Sequence, residues 1–249
     1  MRIIPNGRQM MPHSKNQLLA RLGAEQLAQF SSHLKVVALG QGELIADTHG
    51  NVRKVYFPHS GIISCIVEMK GGHAIETGMI GNDGAFGAAQ ALDDKVSLNK
   101  VTMQVPGSAS AIDADRLREA AERSNAFRTL LIEYELFMTA QVQQTAACNA
   151  VHSVQTRMCR WLLRMHELVG NDMPLTQEFL SEMIGVRRSS VTRVAGDMQK
   201  AGMISYTRGR LHIVDIELVT MNACECHDDV RSHYDRIMGG KPYSATLKL

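Results

Sequence analysis

Six lysines and arginines stand between positions 187 and 210, at 187, 188, 193, 200, 208 and 210, against one acid, Asp197. The local balance is +5 in a chain whose total is only +2. Guanidinium groups in such density suit a polyanion: they donate to phosphate oxygens and, two bonds at a time, to guanine O6 and N7. Their spacing sharpens the reading. At about 100° per residue, Ser189, Thr192, Arg193 and Gly196 share one side of a helix, with Arg188 at its edge. Val191, Val194, Ala195 and Met198 share the other side. Arg187 and Arg188 sit at the start of that helix, where the backbone is already electropositive, and no Ser, Thr, Asp or Asn at 187 caps it. Cations at an uncapped amino terminus are locally unfavourable unless something external compensates, and a nucleic-acid phosphate would take the free N–H groups and both arginines together.

The preceding residues position this helix. Pro174 ends whatever comes before, Thr176 is a good helix cap, and Phe179, Leu180, Met183 and Ile184 form one apolar face. Gly185 accepts the left-handed conformation that a sharp turn needs. Two short helices joined through a glycine turn are a helix-turn-helix pattern. Met203–Tyr206 and Leu211–Val214 read as short strands joined by a Thr207–Arg210 turn, a wing with basic residues at its tip.

The stretch LTQEFLSEMIGVRRSSVTRVAGDMQKAGMISYTRGRLHIVD resembles the DNA-binding domain of the Crp/Fnr superfamily of bacterial transcription regulators. Cys148-Asn149, Arg157–Leu163 and Ala223–Cys226 resemble one branch of it. The likeness runs from about Asn16 to Val230 and is most specific over 174–215. It implies that Arg188, Ser189 and Arg193 read bases. Thr176, Gln177, Arg187, Arg208 and Arg210 would contact phosphates. Ser189 departs from the acidic residue of the best-known members.

The resemblance also implies an α+β chain of three parts. These are a double-stranded, cyclic-nucleotide-binding-like β-roll over 16–123, a dimerisation helix over 124–152 and a winged helix-turn-helix over 153–230, with a hinge near Ala150–Ser153. Palindromic operator DNA, a second copy of the chain and RNA polymerase, the last through a loop at Gly170–Met173, are the implied partners. The family's cAMP cassette needs a Glu and an Arg. The corresponding Gly84–Gln90 and Ser97–Lys100 have neither, so cAMP is not expected. Backbone N–H groups near Gly84 and Gly87, with Asn99 and Lys100, are the candidate pocket for a different small-molecule effector. No amino-terminal cysteine cluster for iron–sulfur binding and no haem signature is present, so no cofactor is expected.

The residues support the same division. From Leu34 to Ile112 short apolar runs recur (Val36–Leu39, Val55–Phe57, Ile62–Val67, Ala74–Met79, Val101–Val105, Ala109–Ile112), separated by glycines, as in a compact β sandwich or roll. His73 and Glu76 read as turn and strand surface. Asp113–Arg123 is a short helix, and Asn125–His152 runs without Pro or Gly. Phe127, Leu131, Tyr134, Met138, Gln141, Thr145 and Cys148 follow 4,3 spacing. A helix lying on its own roll would show the same stripe. Its length, ~42 Å at about 1.5 Å per residue, favours a parallel dimer seam instead. Such a dimer would present two reading helices to half-sites about one DNA turn apart. Residues 1–152 hold 14 basic and 14 acidic side chains and 153–249 hold 13 and 11, so the first part has no electrostatic reason to bind DNA.

Other classes fit less well. With 45% hydrophobic and 21% charged residues, the composition is that of a soluble protein. No apolar run approaches the ~20 residues that span a membrane, and the first residues lack a signal peptide's apolar core. Five cysteines without paired spacing suggest a reducing compartment, hence the cytoplasm. GxxxxGK[ST], GxSxG, HExxH and HxH are all missing, so no catalytic residue and no enzyme is expected. Cys224-x-Cys226-His227, with His233 beyond, lacks the two-to-four-residue cysteine gap of structural zinc sites, and a packed segment without metal is expected there. Two further readings remain open: a DNA-binding dimer whose roll is purely structural, and a ligand-binding module that acts through protein partners.

Overall fold

The structure, a computed structural model, describes residues 12–93 and 96–239. Residues 1–15, whose two prolines, glycine and scattered charges suggest a loose arm, lie mostly outside them. Two short helices, α1 (Gln17–Ala20) and α2 (Gly23–Ala28), lead into seven strands: β1 (Lys35–Leu39), β2 (Leu44–Ala46), β3 (Lys54–Pro58), β4 (Ile62–Glu68), β5 (Ala74–Ile80), β6 (Lys100–Val105) and β7 (Gly107–Asp113). They form two antiparallel sheets, in the orders β1-β7-β3 and β2-β6-β4-β5. Leu39, Val52, Ile63, Phe86, Val101 and Met103 are among the side chains buried between them. A five-residue helix, α3 (Ala88–Leu92), interrupts the roll. Glu76 corrects the surface reading of its strand: it is buried, at 1% exposure, because both faces of this sheet are covered. Ser64 Oγ and Gln104 Nε2 donate to its carboxylate, and burial pushes that group up to about 8.

After α4 (Ala114–Arg123) comes α5, Asn125–Val151. Ser124 caps it by accepting from the Phe127 amide. The stripe expected to be the dimer seam faces inward instead. Phe127, Leu131, Tyr134, Gln141, Thr145 and Cys148 are buried within one chain, and Met138 is partly buried. Phe127 stacks on Phe30 at 4.8 Å, and Gln141 Oε1 accepts from the Met79 amide at 3.0 Å. This stripe cannot also meet a partner. The exposed face carries Ile132, Leu136, Thr139, Gln143, Ala146 and Ala150 at the same 4,3 spacing, with Val142 beside it. The helix thus has two heptad stripes. Periodicity reveals both but does not say which one the chain's own roll will cover, and the bulkier one is covered.

His152 is extended and Ser153 caps α6 (Val154–Val169). A three-stranded sheet in the order β8-β10-β9 follows, with α7 (Gln177–Ile184) and α8 (Arg188–Lys200) inserted between β8 (Asp172–Met173) and the hairpin of β9 (Ile204–Thr207) and β10 (Arg210–Ile213). The loop at Gly170–Met173 is therefore partly strand, and His212 Nδ1 meets Asp172 Oδ1 at 2.8 Å. Two helices complete the described chain, α9 (Ile216–Met221) and α10 (Cys226–Met238). α10 turns back onto α5, with Tyr234 edge-on to Phe137 at 5.0 Å. The helix-turn-helix also packs on the roll: Ile62, Met79 and Val105 join Trp161, Leu162, Met183 and Ile184 in one core. Gln41 Nε2 donates across the same boundary to the Pro174 carbonyl at 2.7 Å.

Candidate nucleic-acid interface

The two helices of the turn are set by local chemistry. Thr176 Oγ1 accepts from the Phe179 amide at 3.2 Å, capping α7. Gly185 ends α7 at φ 69° and ψ 41°, a left-handed conformation that a side chain would strain. Ser181 Oγ donates to the Val186 carbonyl at 2.5 Å and tightens the turn. α8 then begins with Arg187 in the cap position, and its side chain makes no capping hydrogen bond. Val191, Val194, Ala195 and Met198 are buried, while Arg187, Arg188, Ser189, Thr192 and Arg193 are exposed. The wing turn is the two-residue Arg208-Gly209, tighter than the four-residue turn expected, and both residues have positive φ, 49° and 75°. That is the hairpin geometry matching strand twist. It leaves Arg208 and Arg210 exposed, as are Thr176 and Gln177, and sets Gly209 against Thr176.

One neighbour of this surface escaped the sequence reading. Glu178, in the first turn of α7, pairs with Arg188 across 3.0 Å, both side chains more than half exposed. Opposite-facing positions on consecutive helices give no periodic signal. An exposed pair of this kind contributes about 0–1 kcal/mol, so it orients Arg188 without neutralising the surface.

The roll's own cavity, about 320 Å³, lies between the β4–β5 side of the sheet, α3 and the outer flank of α5. Of the residues expected to form it, Gly87 and Asn99 line it. Gly84 and Lys100 do not. Gly84 lies directly under the Tyr134 ring, where a Cβ would collide with the phenol. Its carbonyl accepts from Asn16 Nδ2 at 2.8 Å. Lys100 turns outward to Glu68 at 2.7 Å. Glu135 from α5 enters the cavity wall, and its Oε1 accepts from the Ala89 amide at 3.3 Å. Burial raises this carboxyl to about 7, against the pull of that hydrogen bond. An acidic group thus occupies the backbone donor that an anionic effector would need.

The cysteines are brought together differently from their spacing. The His227 imidazole pairs with Glu167 at 3.4 Å and is not among the side chains that cluster with Cys224 and Cys226. Instead Cys148, His152, Cys224 and Cys226 converge, with ligand atoms all within 4.8 Å of one another. Neither Cys148 nor His152 lies near the carboxyl-terminal pair in sequence, so no spacing rule finds the group.

Residues 156–219 match a family model described as a Crp-like helix-turn-helix domain. No curated protein matches the sequence. Among solved structures, the chain is similar to a Crp/Fnr-family transcriptional regulator from Eubacterium rectale, at 17% identity and a TM-score of 0.66 over 84% of this chain and 98% of that one. FixK2 from Bradyrhizobium japonicum shares 13% identity and a TM-score of 0.65 over 77% and 98%. The c-di-GMP-responsive regulator CLP from Xanthomonas campestris shares 16% and 0.63 over 77% and 99%. At these identities the likeness is one of fold. The chain has the Crp/Fnr transcription-regulator fold and carries a Crp-like helix-turn-helix.

Proposed function

We propose that this chain, a Crp/Fnr-fold regulator by its helix-turn-helix and its architecture, binds palindromic operator DNA as a homodimer and controls transcription in the cytoplasm. The carrying observation is the exposed face of α8: Arg188, Ser189, Thr192 and Arg193 outward and an uncapped amino terminus at Arg187, with Arg208 and Arg210 exposed on the wing. Arg188, Ser189 and Arg193 read base edges, and the amino terminus of α8, Thr176, Gln177 and the wing arginines hold phosphates. RNA polymerase is the further partner of this reading. No catalytic step belongs to it.

The seam of the dimer is the outer stripe of α5. Ile132 and Leu136 are 47% and 57% exposed in the single chain, and Thr139, Gln143, Ala146 and Ala150 continue the stripe toward the DNA-binding end. Burying such a stripe against its symmetry mate aligns two reading helices. Leu136→Asp is expected to convert a dimer to a monomer in sedimentation and to abolish retention of operator fragments. A variant that stays dimeric places the seam elsewhere.

The roll acts as a scaffold or takes an effector other than cAMP, since Glu135 holds the Ala89 amide. A gel shift of the full chain with genomic fragments tests the main reading: selective retention supports it, and no retention of any fragment by a folded dimer favours the alternative, a ligand-binding module acting through protein partners.

A further inference from the structure

From the convergence of Cys148, His152, Cys224 and Cys226 we infer a tetrahedral site for a thiophilic divalent cation of the zinc class, joining the end of α5 to the segment behind the wing. Three of these side chains are buried cysteines, none in a disulfide. The distances suit an ion. Cys148 Sγ and Cys224 Sγ are 3.6 Å apart, as are Cys226 Sγ and His152 Nδ1. Ligands at about 2.3 Å (sulfur) and about 2.0–2.1 Å (nitrogen) from a tetrahedral zinc stand about 3.5–3.8 Å from one another. All four donor atoms lie within 4.8 Å, so closing on an ion takes a shift of about an ångström at most, within what side-chain rotation allows.

Two independent features point the same way. His152 turns Nδ1 to the sulfurs and Nε2 to Glu225 Oε1 at 3.3 Å. A carboxylate on the far nitrogen fixes the tautomer that ligates and strengthens the imidazole as a donor. The charge is also complementary. Three thiolates, one neutral imidazole and a divalent cation sum to −1. Arg157 and Arg160, buried at 8% and 3% exposure, stand beside the group. Their hydrogen bonds go to neutral oxygens of Asn149, Ile184 and Thr145, and the Nε of each has no hydrogen-bond partner among the described residues. Buried guanidinium groups need a counter-charge, and a thiolate–metal centre supplies one. Thiolates and imidazole together select zinc over calcium or magnesium.

The position gives the site a consequence. Cys148 belongs to α5, His152 is the first of the two residues between α5 and α6, Cys224 follows α9 and Cys226 opens α10. An ion held by all four locks the winged domain to the long helix at the two-residue extended connection between them.

The test uses the reduced, full-length protein without DNA, with cobalt as the probe. One Co²⁺ per chain is expected, with thiolate-to-cobalt charge-transfer absorption, the intense visible bands of a tetrahedral ion, and displacement by Zn²⁺. Cys226→Ser should remove the charge-transfer intensity that this sulfur contributes. Glu225→Gln, at the surface and outside the ligand set, should weaken binding about 10–100-fold, which keeps the test alive if the cysteine variant does not fold. Reduced, folded wild-type protein that shows no thiolate–cobalt bands overturns the site. So do bands indifferent to Cys226→Ser in a folded variant, or a mass lower by two hydrogens with a Cys148–Cys224 disulfide and no metal after metal-replete purification.

Discussion

Two helix amino termini in this chain meet opposite fates. At α8 the first N–H groups are uncapped, arginines flank them, and the surface is open. At α3, inside the roll, the Ala89 amide is already taken by Glu135 from α5. The same backbone electrostatics, a concentration of free donors, is turned outward to a partner in one place and satisfied internally in the other. A helix start is therefore an anion site only when the chain has not already supplied its own acceptor.

The largest expected effect is on the open end. Arg193→Ala should cut the ratio of operator to random-sequence affinity by roughly 10–100-fold, the worth of about 1–3 kcal/mol for one bidentate base contact. Competition binding against two DNA sequences measures it, and an unchanged ratio would remove Arg193 from the reading face.

At the closed end the effect is on stability and has a sign. The Glu135 carboxyl, raised to about 7 by burial, stays protonated in the folded chain over a range where the unfolded chain has already ionised. Its contribution is complete below about pH 4.5 and is lost as pH rises to about 7, by up to about 1.4 kcal/mol per pH unit. Glu135→Gln should therefore match the wild type near pH 4.5 and melt higher than it at pH 8. A constant difference in melting temperature across that range would mean that the carboxyl is not desolvated.

Smaller effects sharpen the contrast at the DNA face. Arg208→Ala should weaken binding to all sequences alike and flatten the salt dependence by about one contact. Glu178→Gln, which releases Arg188 and removes a negative charge from the surface, should tighten binding by at most about fivefold, an exposed pair contributing about 0–1 kcal/mol. The gain should fade at high salt. Weaker binding by Glu178→Gln would instead show that the pair pre-orients Arg188 for its target.

What could be read in the sequence follows the same division. The turn, the two faces of α8 and the wing are encoded within about forty consecutive residues, where a period of about 3.6 and one left-handed glycine suffice. The extent of α5 follows from a run without Pro or Gly, and the caps at Ser124 and Ser153 fix its start and that of α6. Three features depend on contacts between distant segments and leave no local trace. Glu135 reaches Ala89 across 46 positions. Glu76 is buried because the helix-turn-helix covers the outside of its sheet. The cysteines at 148 and 224 meet across 76. The α5 stripe is the instructive intermediate case: heptad spacing was visible, but two stripes satisfied it, and only the packed chain shows which one remains free.

The salt dependence of double-stranded DNA binding by the full chain tests the central claim most directly, with wild type set against Arg187→Ala/Arg208→Ala, two of the phosphate contacts. The account predicts that log K falls steeply and linearly with log salt, by about 0.9 per phosphate contact, with a slope flatter by about two contacts in the double variant. Binding that ignores salt, or a double variant with the wild-type slope, would contradict it.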